Sequence, residues 1–124
     1  VTFEEYAVAM NATKVYPTKV KVLYPALALA EETGEVSSIL AKHLRDRLPV
    51  VHDESGEEYL TSASFVLDEQ ERDKMLGELG DVLWQWAALC TDLGFSLDEV
   101  AQHNRAKLID RKVRNVLHGS GSER

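Results

Sequence analysis

What this chain has little of narrows it first. One cysteine, Cys90, in 124 residues leaves no internal disulfide to hold a fold together, and such usage fits a reducing compartment. Three prolines, Pro17, Pro25 and Pro49, leave long stretches free to be helical. No apolar run approaches the roughly 20 residues needed to span a bilayer, and no basic segment followed by an apolar one opens the chain. The expectation is a soluble, cytoplasmic protein with no membrane partner. Basic residues are also short: 14 Lys and Arg stand against 21 Asp and Glu, for a net charge of −7. Proteins that grip a nucleic-acid backbone run the other way, so no nucleic acid polymer is expected as a partner.

What is present describes a folded domain. Hydrophobic residues make up 44% and charged ones 28%, and the length suits one domain over residues 1–118 with a Gly/Ser tail at 119–124. The acids are unevenly spread. Fourteen of the 21 lie between Glu31 and Asp81, whereas the stretch from His103 onward carries Arg105, Lys107, Arg111, Lys112, Arg114 and Arg124 against Asp110 and Glu123. An acidic middle and a basic end suit a site that needs both signs.

Periodicity predicts helices almost throughout. Thr2 with Glu5 three residues on is a capping box, followed by Phe3, Tyr6, Ala7 and Met10 at helical spacing. A second helix should run from about Tyr24, with Pro25 in its first turn, to about Arg47, ahead of Pro49. Residues 49–67 lack a helical period and read as a long loop with room for a small hairpin. Asp68 and Glu71 cap a third helix that Gly94 ends, and Ser96 and Glu99 cap a fourth reaching about Leu117. The fold class is therefore all-α, a four-helix bundle. Trp84, Trp86, Leu83 and Leu89 make the third helix apolar over much of its circumference, which suits a bundle centre or a subunit interface. Cys90, in an apolar run, reads as a packing residue.

One short pattern occurs twice. Glu32-Thr33-Gly34-Glu35-Val36 returns as Glu78-Leu79-Gly80-Asp81-Val82. Positions i and i+3 share a helix face, so each copy points two carboxylates the same way, and two such helices side by side would gather four. Acids at this spacing are common on solvated faces, but two copies with an embedded glycine argue for more. A mid-helix glycine costs about 0.5–1 kcal/mol relative to alanine, and here it is expected to let the helix backbones approach. Four carboxylates at a helix contact repel unless a cation sits between them. Carboxylates alone suit hard ions, Mg2+ or Mn2+. On the fourth helix Asn104, Lys107, Arg111 and Arg114 form one stripe, a complement to polyphosphate oxygens that a metal leaves uncovered.

These residues resemble a known family. Glu31-Glu32-x-x-Glu35, then Glu78-x-x-Asp81, then Asn104-x-x-Lys107-x-x-x-Arg111 is similar to the MazG-like nucleoside triphosphate pyrophosphohydrolases of the all-α NTP pyrophosphatase superfamily, over roughly residues 24–48 and 70–118. The resemblance implies Mg2+-dependent hydrolysis of a nucleoside or deoxynucleoside triphosphate to the monophosphate and pyrophosphate, in nucleotide-pool house-cleaning. It implies a bundle completed by homo-oligomerisation, as a homodimer or homotetramer. Carried over by position, Glu32, Glu35, Glu78 and Asp81 would hold metal, with Glu31, Glu32 and Glu35 as the catalytic acids and Glu31 a further ligand or an orienter of the attacking water. Asn104, Lys107 and Arg111 would bind substrate phosphates. The 42 residues between Glu35 and Glu78 exceed those of compact relatives, so the 49–67 segment is an elaboration. The competing class is a non-catalytic helical interaction or regulatory module that keeps a vestigial metal site.

Overall fold

Local capping chemistry starts the helices where the sequence places them. The structure, a computed structural model, describes residues 1–47, 51–59 and 66–118. Helix α1, Phe3–Ala12, opens on the reciprocal box of Thr2 and Glu5, with Glu5 N–H donating to Thr2 Oγ1 at 3.1 Å and Thr2 N–H to Glu5 Oε2 at 2.7 Å. A single 3-10 turn, Thr18–Val20, leads into helix α2, Leu23–Arg47, with Pro25 in its first turn. Helix α3, Glu69–Asp92, opens on a second box, Asp68 with Glu71 (2.8 and 3.1 Å). Helix α4, Leu97–Val113, is capped by Ser96 Oγ, which accepts from Glu99 N–H at 3.1 Å. Among the described residues these four helices set an all-α fold class.

The ends of α3 and α4 are built alike. Gly94 and Asn115 follow them in left-handed conformation (φ +84° and +55°). Phe95 N–H reaches back to the Cys90 carbonyl at 2.9 Å and Val116 N–H to the Arg111 carbonyl at 2.9 Å, the backward bonds of a Schellman motif. This corrects the expected end of α4 near Leu117. Asparagine tolerates the left-handed region almost as glycine does, and stops the helix four residues sooner.

Within residues 49–67 a minimal hairpin forms: β1, Val51–His52, pairs antiparallel with β2, Glu58–Tyr59. Asp53 Oδ1 organises its turn, accepting from Ser55 N–H, Ser55 Oγ and Glu57 N–H at 2.6–2.9 Å, and these bonds hold the carboxyl below its usual range. The Gly/Ser tail at 119–124 lies outside the described residues.

The chain forms two compact units: Val1–Pro25 with Trp86–Arg124, and Ala26–Gln85. In the first, Met10, Ala87, Ala88, Cys90 and Leu97 are buried, α1 meets α4, and the Phe3 and Trp86 rings lie 5.9 Å apart. A polar centre accompanies this apolar one. The Asp92 carboxylate, 2% exposed, accepts from Lys14 Nζ at 2.9 Å, Tyr16 Oη at 2.7 Å and Val22 N–H at 3.1 Å. Burial alone would raise the Asp92 carboxyl, but the three donors and the Lys14 charge hold it below its ordinary range. The same contact, with burial, pushes the Tyr16 hydroxyl far upward. Val22 is held at φ +66°, a region costly for a β-branched side chain, and its N–H is fixed by Asp92.

In the second unit α2 and α3 run antiparallel, because His43 Nδ1 meets Glu71 Oε1 at 3.2 Å toward one end and Glu32 meets Gln85 toward the other. The glycines of the repeated motif do not serve close approach: a Cβ built on Gly34 or Gly80 finds no atom within 4 Å. That expectation is corrected, since open space flanks both positions.

Two predictions follow from these packings. Asp92→Asn strands the Lys14 ammonium and should cost about 3 kcal/mol in urea unfolding at neutral pH. Because the Asp92 pKa is lowered on folding, its contribution is complete above the ordinary value of 3.8 and disappears as pH falls through the folded value. The gap between wild type and Asp92→Asn should therefore narrow below pH 3.8; a pH-independent gap would refute the ionic account. Gly34→Ala and Gly80→Ala should each raise the unfolding free energy by about 0.5–1 kcal/mol, and a loss would mean that the bare backbone has a task.

Candidate metal centre

Helix geometry decides which acids meet. On α3, Glu78, Asp81 and Gln85 fall at i, i+3 and i+7, one face of the helix. On α2, Glu32 is half-buried while Glu31 and Glu35 are exposed. The antiparallel pairing sets Glu32 opposite the α3 face, so that one carboxylate oxygen from each of Glu32, Glu78 and Asp81 lies within 4.8 Å of the others. Oxygens bound to one hard cation at about 2.0–2.6 Å are separated by about 3–5 Å, and the three-acid group has that spacing with an all-oxygen donor set. A divalent cation fits it. Glu31 and Glu35 are not members of this group.

The electrostatics point the same way. Burial pushes the Glu32 carboxyl above its ordinary range, and repulsion from Asp81, Glu31 and Glu78 adds to it, while a hydrogen bond with Gln85 works the other way. An acid whose pKa rises on folding costs stability once pH exceeds its ordinary value. A cation beside Glu32 would remove that cost.

The basic stripe belongs to the other compact unit. Asn104 and Lys107 are exposed on α4, whereas Arg111 is 7% exposed and Arg114 pairs with Asp110 at 2.6 Å. His43 is 5% exposed and engaged with Glu71, which makes it a packing residue. Cys90 is buried, and burial pushes its thiol up, away from nucleophilic use. Gln85, 7% exposed and aimed at Glu32, is the member that motif spacing missed. Its signal was an amide in the apolar run Leu83-Trp84-Gln85-Trp86-Ala87, seven residues after Glu78.

Comparison with known proteins bears on this arrangement. Residues 23–115 match the model of the MazG nucleotide pyrophosphohydrolase domain. Gene 37 protein of Mycobacterium phage L5 is 33% identical over 125 residues, covering 96% of each chain. No solved structure matches, and among the described residues no helix is long and apolar enough to cross a membrane. With well over half of its length in one family model and its acid motifs inside that span, the chain belongs to the MazG nucleotide pyrophosphohydrolase domain family.

Proposed function

We propose that the chain is a Mg2+-dependent hydrolase that cleaves the α–β phosphoanhydride of a nucleoside or deoxynucleoside triphosphate, releasing the monophosphate and pyrophosphate, in house-cleaning of the nucleotide pool. The observation that carries this reading is the convergence of Glu32, Glu78 and Asp81 in a chain of this family. Glu32, Glu78 and Asp81 hold the cation, with exposed Glu35, one turn beyond Glu32, as a further ligand from the rim. Mn2+ serves in place of Mg2+. When bound, the ion neutralises phosphate oxygens and activates water for attack at phosphorus.

The chain's own groups do the rest. Glu31, whose charge is felt by Glu32, orients the attacking water. Asn104 and Lys107 offer an exposed amide and ammonium to phosphate oxygens, and Arg111 supports them from a buried position. The leaving pyrophosphate is stabilised by cationic donors as the α–β P–O bond breaks. A homodimer or homotetramer is part of the reading, supported within residues 26–85 by the exposed Leu27, Leu76, Leu79 and Leu83.

The direct test measures pyrophosphate after incubating the folded protein with Mg2+ and each nucleoside and deoxynucleoside triphosphate. Release from at least one is expected, and Glu78→Gln should lower it by on the order of 100-fold; release from none would favour the non-catalytic helical module. Thermal melts test the site independently. Mg2+ should raise Tm by binding the folded state, and Asp81→Asn should lose most of that rise. Glu32→Gln should raise Tm in EDTA, because a half-buried, repelled charge is gone, while shrinking the Mg2+ shift. An Mg2+ shift unchanged in both variants would place the cation elsewhere.

A further inference from the structure

The Gln85 side chain is more than nine-tenths buried, and its Oε1 has no hydrogen-bond partner. A buried acceptor without a donor costs about 1–3 kcal/mol, and native structures keep few of them. An apolar residue of the same length would avoid that cost in the run Leu83-Trp84-Gln85-Trp86. The other end of the amide explains its orientation. The hydrogen bond from Gln85 acts to lower the Glu32 carboxyl, so the group turned to Glu32 is the amide N–H, and Oε1 is the enclosed atom left without a donor.

We propose that Gln85 is the positioning residue of the acid group: its N–H fixes Glu32 against Glu78 and Asp81, where a divalent cation would be held. This rests on the reading that Glu32, Glu78 and Asp81 hold such an ion. Glu32 then sits between Gln85 and the ion, oriented from outside as ligating side chains are in metal sites, where loss of the outer partner weakens binding by about 10–100-fold. Gln85 does not itself ligate and touches no phosphate; it acts through Glu32.

The test is Mn2+ binding to the full chain by calorimetry, without nucleotide, with the melting temperature in EDTA recorded for every variant. Gln85→Met keeps the length and removes both donor and acceptor. It should leave the EDTA melt within a few degrees of wild type and weaken Mn2+ by about tenfold. In a Glu32→Gln background the same change should alter Mn2+ affinity less than twofold, because the residue through which Gln85 acts has already been changed. Where methionine does not fold, Gln85→Asn keeps an amide in place but withdraws it by one methylene, and should weaken Mn2+ similarly. Wild-type affinity in Gln85→Met or Gln85→Asn, with Glu78→Gln defective, overturns the role of Gln85 while leaving the cation site standing. Equal losses in the wild-type and Glu32→Gln backgrounds reduce Gln85 to packing and also overturn it. Failure of the wild-type protein to bind Mn2+ removes the cation reading and this inference together.

Discussion

A carboxylate withdrawn from water needs donors or a counter-charge, and this chain meets that demand in two opposite ways. Asp92 is surrounded by the Lys14 ammonium, the Tyr16 hydroxyl and the Val22 amide, and its carboxyl is held low. Glu32 is surrounded by other acids and helped by one amide, and its carboxyl is held high. The first arrangement is complete without help and ties the segment before α2 to the end of α3. The second is incomplete as it stands, at a cost that folding alone does not justify. Environments that push like groups apart in this way separate architecture from chemistry.

Much of this was legible in the sequence because the signals are local. Thr2 with Glu5, Asp68 with Glu71 and Ser96 with Glu99 start helices through bonds spanning three residues, so tertiary context had little to override. The repeated acid motif placed Glu32, Glu78 and Asp81 on facing helices for the same reason. It said less about Glu35, which lies exposed outside the three-acid group while Glu32, one turn earlier, is half-buried. Asn115 carried its stop signal openly, but asparagine is read as a helix end less readily than glycine.

What stayed hidden depends on partners far apart in the chain. Nothing near Asp92 announces Lys14, Tyr16 or Val22, each some 70 or more residues away. In the sequence Gln85 is one polar residue between two tryptophans, and only the antiparallel pairing turns it to Glu32. The motif glycines misled in the other direction, because spacing showed that they repeat but not that the space beside them is open.

The lone cysteine has a practical meaning in this setting. Cys90 is buried two residues before Asp92, its thiol protonated more firmly than in water, and its carbonyl closes the end of α3. A thiol reagent reaches it when that helix end opens. With no second cysteine in the chain, the speed of labelling clocks the breathing of one identified joint, without any engineered probe.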